Sequence, residues 1–308
     1  MQCARDPAAA GQGFTRFKLP SHLALNLPSP LEPLDEARAA RRGVRIVLKR
    51  DDLIHPDLPG NKWRKLAPNL AAAREQGHST LLTFGGAYSN HLSATAAAGH
   101  HFGFATVGVV RGEEHLPLNP ALAKAAAFGM RLTYLDRTAY RAKNTPAVLD
   151  PLRERFGDCY VLPEGGSNAL AVRGCAELVS ELTEPYDVIC CAVGTGGTLA
   201  GIASALEPGR RALGFAVLKG GEFLNADVAA LQTAAYQRVT ANWSIETGFH
   251  GGGYARQPAE LAEFAADFEQ RHGIRLNRVY EAKMMLGLTS LVERGRFAAG
   301  STVVALLA

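Results

Sequence analysis

The sequence is poorest in the features that would place it in a membrane, outside the cell or on a nucleic acid. It has no run of about 18 apolar residues, so no membrane-spanning helix is expected. The stretch "SHLALNLPSP" is too short and too broken by proline to be the apolar core of a signal peptide. Cysteines are few and odd in number: five, at 3, 159, 175, 190 and 191, with no Cys-x-x-Cys pair. Cys190 and Cys191 sit inside an apolar run and read as buried thiols of a reducing cytoplasm, and no metal is expected. A dominant charge is missing too. The formal net charge is only +4, and Lys and Arg are scattered, which excludes the basic groove of a nucleic-acid binder. The stretch "ARAARRG" (37–43) reads as a helix or loop with a solvated basic face.

What is present is an ordinary soluble composition: 47% apolar and 20% charged residues over 308 positions, enough for one large domain or two medium ones. Glycine is plentiful at 32 residues, which suggests tight turns and close backbone approaches to a ligand. Strand-like and helix-like segments alternate. "VRIVLKRDD" precedes the helix-like "KWRKLAPNLAAAREQG", "TLLTFGG" precedes "NHLSATAAAGHHFG", and "ATVGVVRG" and "RLTYLD" flank "NPALAKAAAFG". "DCYVLPEGG" leads into "NALAVRGCAELVSELT", and "YDVICCAVGTGG" leads through "TLAGIASALEPG" to "RRALGFAVLKG". This order predicts an α/β protein with mostly parallel sheets, whose strands are buried on both faces. Three glycine-bearing turns, "FGGAYSN", "PEGGSN" and "VGTGGT", follow strands. Ligands of open α/β sheets bind at the carboxyl ends of strands, so one site lined by all three is expected.

Each motif has a plain and a chemical reading. In "AVGTGGTLAG" (192–201), Gly194, Thr195, Gly196, Gly197 and Thr198 lie between a buried strand and a helix start. Backbone N–H groups and the helix dipole there make a cup for a phosphate, or the stretch is only a turn. A dinucleotide fingerprint fails because Leu199 stands where the last glycine belongs, and a P-loop fails for want of a lysine. Ser89 and Asn90 open the next helix, either as caps or as a pocket for a carboxylate. Lys62, in "LPGNKWRKL", is either a solvated charge or an amine made nucleophilic at a helix start, where the dipole disfavours the ammonium.

Taken together and in this order, the motifs resemble the 1-aminocyclopropane-1-carboxylate (ACC) deaminase / D-cysteine desulfhydrase family of pyridoxal phosphate (PLP) enzymes, of the tryptophan synthase β fold type. The resemblance runs from about Leu19 to about Val304: "KRDDLIHPDLPGNKWRKL", "GGAYSNH", "VGTGGTLAG", "GGGYAR" and "VYEAKMMLGL". It implies two open, mostly parallel twisted sheets flanked by helices (fold type II). Residues 1–62 and 160–308 would form a large PLP-binding domain and 63–159 a smaller inserted one. It implies Lys62 as the Schiff-base lysine, with Asn61 against the ring, Asn90 on the ring oxygen and the 194–198 turn on the phosphate. Ser89, Asn90, His91, Tyr254 and Tyr280 would meet the substrate. Lys62, Ser89, Tyr254 and Tyr280 would carry the chemistry, each tyrosine as acid, base or nucleophile unless it is merely half-buried. Glu281 would pair with the pyridine nitrogen. ACC deaminases of the family have a glutamate there, whereas D-cysteine desulfhydrases tend to have a small hydroxyl residue.

The expectation is therefore a cytoplasmic, homodimeric hydrolase or lyase that acts on a small amino acid and releases ammonia and a 2-oxo acid, ACC-like first. β-Elimination of D-cysteine is the alternative. The family pattern continues into His-Thr/Leu-Gly-Gly where this sequence has Ala308, which keeps a PLP-binding protein with little turnover as an alternative of another class.

Overall fold

The run Val188–Val193 is a central strand, largely buried on both faces, which is why it reads as uninterrupted hydrophobics. The structure, a computed structural model, describes residues 19–308. In chain order the described strands are β1 (Leu31–Leu34), β2 (Arg45–Arg50), β3 (Thr80–Gly85), β4 (Ala105–Arg111) and β5 (Arg131–Leu135). They continue as β6 (Tyr160–Leu162), β7 (Val188–Val193), β8 (Arg211–Ala216), β9 (Trp243–Glu246) and β10 (Thr302–Leu307). A larger sheet runs β1-β2-β10-β7-β8-β9 and a smaller one β5-β4-β3-β6. β1 is antiparallel to β2, and every other pair is parallel. The protein is thus the expected α/β fold with two mostly parallel sheets flanked by helices.

Three details differ from the sequence expectation or lie outside it. β6 pairs with β3, Tyr160 opposite Leu81, so the smaller sheet extends past the expected return at residue 160. β10 slots between β2 and β7 and brings the last residues of the chain into the middle of the larger sheet. Cys3 lies outside the described residues, while Cys159, Cys175, Cys190 and Cys191 are all free and buried.

The helix Gly60–Glu75 joins the two halves. Trp63, Leu66, Leu70 and Ala73 pack with Leu81, Ala94, Ala97 and Leu162 around the smaller sheet. Its other face lies against the helix Ala169–Ser180, so closely that a Cβ on Gly174 would fall 2.1 Å from the Arg64 carbonyl oxygen. Pro68 has no N–H to give that carbonyl. The carboxyl ends of β3 and β7, and the start of this helix, therefore face one another across the gap between the sheets.

Candidate active site

The turn that raises Lys62 is forced by two constraints on Gly60. Its φ is +55°, and a Cβ there would lie 2.3 Å from Cα of Ala308 at the end of β10. Only glycine meets both. Lys62 follows in the first helical turn and lines a cavity of about 510 Å³ between the sheets. Desolvation, with the neighbouring Lys65 second, draws its pKa from 10.5 to about 7. Lys62 is therefore a part-neutral amine in a pocket wall, and the solvated-charge alternative fails.

Opposite it, Gly196 takes φ +80° and opens the helix Gly197–Ala205. Asn61 Nδ2 donates to Thr198 Oγ1 at 3.1 Å, and Thr195 Oγ1 is 2.6 Å from Ser167 Oγ. Gly194, Thr195, Gly196 and Thr198 all line the cavity. Gly197 lies just behind, where a Cβ would fall 2.6 Å from Ser167 Oγ and 3.3 Å from Lys65 Nζ. Lys65 itself was not anticipated. Among the described residues its buried ammonium has only neutral hydrogen-bond partners, Ser167 Oγ at 3.1 Å and the Gly165 carbonyl at 3.3 Å, and burial lowers its pKa. A buried cation without a counter-anion, beside a helix start and a glycine turn, is a place for an anion. The signal was in the sequence: Lys65 stands three residues after Lys62, on the same helix face. "PEGGSN" likewise supplies Glu164 and Gly165 to the cavity wall.

The loop after β3 brings Ser89, Asn90 and His91 to the same cavity. Ser89 occupies the N-cap position of the helix Asn90–Phe102 but makes no side-chain capping bond, so capping does not account for it. Thr83 Oγ1 gives its proton to the Leu162 carbonyl at 3.0 Å and must accept from His91 Nε2 at 2.8 Å. Burial, then Lys62 and Lys65, hold His91 well below 6.5. His91 is thus neutral and protonated on Nε2, and its Nδ1 is a buried acceptor without a partner among the described residues.

The far wall carries Tyr254, Tyr280 and Glu281. The two phenol oxygens are 3.0 Å apart, with the rings edge-on. Ala255, next to Tyr254, holds φ +56°, a strained conformation for a residue with a Cβ. Buried Lys283 pins this loop by donating to the carbonyls of Gly253 at 2.8 Å and Val217 at 2.9 Å. Burial and then Tyr254 push the Tyr280 phenol well above 10, so it stays protonated. Glu281 accepts from Asn277 N at 2.7 Å and Ala308 N at 3.3 Å. Burial nonetheless raises its pKa from 4.5 to about 7. All the anticipated side chains thus line one cavity. Arg111 and Lys143 also line it and were not singled out from sequence.

The chain is similar to several named proteins. A Thermotoga maritima protein provisionally named 1-aminocyclopropane-1-carboxylate deaminase is 32% identical over 279 residues, covering 86% of this chain and 89% of that one. An Arabidopsis thaliana protein named bifunctional D-cysteine desulfhydrase/1-aminocyclopropane-1-carboxylate deaminase, mitochondrial, is 28% identical over 300 residues, 90% of this chain and 75% of its own. A crystal structure described as an ACC deaminase homologue superposes with a TM-score of 0.81 at 26% identity, over 94% of this chain and 91% of the other. The expectation of a hydrolase finds no support in these names, which are those of deaminases and a desulfhydrase. A family model described as "Pyridoxal-phosphate dependent enzyme" matches residues 24–308, and the chain belongs to that family of enzymes, with pyridoxal phosphate as its cofactor.

Proposed function

We propose that the protein is a deaminase or lyase acting on a small amino acid, releasing ammonia and a 2-oxo acid, with ACC converted to 2-oxobutanoate and ammonia as the first substrate. The cofactor fits the chain's residues because the buried, anion-less Lys65 and the 194–198 turn suit a phosphate dianion. Bound there, pyridoxal phosphate supplies an electron sink for the bonds around the substrate's α-carbon.

We assign Gly194, Thr195, Gly196, Gly197, Thr198 and Lys65 to the phosphate, and Asn61 and Asn90 to the ring. Lys62 anchors the cofactor through its amine, and once displaced it accepts and returns a proton, as a pKa of about 7 suits. Ser89 and Asn90 hold the substrate carboxylate, and His91, whose Nδ1 is an acceptor, takes a hydrogen bond from a donor group of the substrate. Tyr254 and Tyr280 face the substrate as proton donors. Glu281 pairs with the ring nitrogen. The observation on which the ACC reading rests is the carboxyl itself: buried, fixed by two backbone donors and opening on the cavity, it would steady charge on the nitrogen and deepen the electron sink that ring opening needs.

One observation favours the second reading, β-elimination from D-cysteine. A Tyr280 phenol held far above neutral pKa is a poor nucleophile for opening a cyclopropane, whereas loss of thiolate needs only proton removal by Lys62. Ammonia and 2-oxo acid assays on both substrates decide. The expected result is 2-oxobutanoate and ammonia in equal amounts from ACC. Glu281→Thr should lower that turnover about tenfold to a hundredfold, and any D-cysteine turnover by far less. Sulfide and pyruvate from D-cysteine, with nothing from ACC, would overturn the ACC reading in favour of the second.

The division into domains, expected at 1–62 with 160–308 and at 63–159, belongs to this proposal with the smaller domain carried on through β6 to Leu162, as does the homodimer, both resting on the family resemblance. The cytoplasmic location is supported by four buried free thiols. Among the described residues no helix is long and apolar enough to cross a membrane.

A further inference from the structure

Away from the cavity, four of the nine histidines gather on one patch. The ring of His101 lies 5.9 Å from that of His22, 5.3 Å from His55 and 5.4 Å from His100, centre to centre. Asp57 reaches into the group, with one carboxylate oxygen 3.6 Å from His101 Nε2 and the other 3.2 Å from Lys124 Nζ. His101 Nε2 is buried and has no hydrogen-bond partner among the described residues. A gap of 3.6 Å is too long for a hydrogen bond. It is close to the roughly 3.4 Å that separates two ligands at about 2.1 Å around a tetrahedral zinc ion. One ligand atom from each of His55, Asp57 and His101 lies within 4.8 Å of the others.

We propose that His55, Asp57 and His101 form a binding site for a divalent transition-metal ion of the zinc type. Imidazole nitrogen with a single carboxylate is a donor set that suits zinc, nickel or copper rather than magnesium or calcium. Binding has costs: Lys124 must turn away from Asp57, and ligation through His55 Nδ1 gives up its 3.1 Å bond from the Asp57 N–H. The gain is a tie between two working parts of the fold. His55 and Asp57 lie in the loop that delivers Gly60 and Lys62, and His101 lies at the far end of the helix that begins at Asn90.

The test is titration of the tag-free holoenzyme at pH 7.5 with Zn²⁺ by calorimetry and with Co²⁺ by visible absorbance. One ion per chain, micromolar affinity or tighter and a raised Tm are expected. His55→Ala and His101→Ala should each weaken binding about tenfold or more, whereas His272→Ala, against Glu36 on another helix, should not. If either alanine variant fails to fold, Asp57→Asn takes its place with the same expectation. No binding at 100-fold molar excess of ion, undiminished binding in the ligand variants, or equal loss in His272→Ala would each overturn the site.

Discussion

Lys62 and Lys65 stand one turn apart on the same helix, and burial lowers both from 10.5. What separates them is their surroundings. Both line the cavity, but Lys65 is tethered by Ser167 and the Gly165 carbonyl, whereas burial draws Lys62 to about 7. A lysine whose folded pKa lies near 7 and whose unfolded pKa lies near 10.5 is bound to fewer protons in the folded chain between those values. Stability of the cofactor-free protein therefore rises with pH across that window as far as Lys62 contributes. The same depression sets the pH at which its amine becomes reactive. The initial rate of covalent cofactor uptake by cofactor-free protein should climb through about pH 7 and level off above it. Borohydride reduction followed by peptide mapping should place the label on Lys62. A midpoint near 10, or label on Lys65, would refute the assignment of these two lysines. The roles were not equally legible in sequence. Lys62 is flagged by its place beside Gly60, but Lys65 matters only because Ser167 and Gly197 close over it, a contact across about a hundred residues that local pattern does not carry.

At the scale of elements, two glycines of the helix Gly197–Ala205 separate ligand binding from packing. A Cβ on Gly197 would meet Ser167 Oγ at 2.6 Å and Lys65 Nζ at 3.3 Å, just behind the cavity lining. A Cβ on Gly201 would meet the Val172 carbonyl at 2.4 Å and Cys175 Cβ at 2.6 Å, between two helices. Both alanine substitutions overpack, at about 1–3 kcal/mol each. Gly197→Ala should in addition weaken pyridoxal phosphate retention about tenfold or more, while Gly201→Ala lowers Tm and leaves retention nearly unchanged. Equal loss of retention in both, read by dialysis and absorbance, would reduce the 194–198 turn to a structural bend. The elements behind this turn were legible because a buried parallel strand, a glycine turn and a helix start each leave a local mark. β9 was not: its four residues, Trp243–Glu246, are all half-buried and alternate no clear face. β10 was not placed either, because its position between β2 and β7 depends on partners far away in sequence.

At the scale of the whole molecule, the helix that carries Lys62 is held by charges as well as by its apolar face. Arg64 Nε and Nη2 reach the two oxygens of Asp51 at 2.6 and 2.7 Å, and Nη1 and Nη2 reach those of Glu181 at 2.8 and 2.9 Å. Lys49 Nζ on β2 donates to Glu181 at 2.6 Å, and Ser29 Oγ donates to Asp51 at 2.6 Å. Two cations and two carboxylates thus balance inside the fold, tying the Lys62 helix to β2 of the larger sheet and to the end of the helix Ala169–Ser180. Such a network adds little beyond an apolar replacement, but removing one member strands the others without solvent. Arg64→Gln should therefore cost about 3–5 kcal/mol and roughly 10 °C in Tm. The pH dependence has a definite sign. Burial raises the pKa of Glu181, but the Arg64 and then the Lys49 contacts outweigh it and hold the carboxyl below 4.5. Its contribution to stability is present above that value and is lost as pH falls through the lower folded value. The gap in Tm between the protein and Arg64→Gln should be widest near neutral pH and shrink below about pH 4.5 as Glu181 takes up a proton. A gap that stays constant with pH would mean that the Arg64 side chain acts through packing rather than through its charge. A Tm within about 2 °C of the unaltered protein would mean that the apolar face alone fixes the helix.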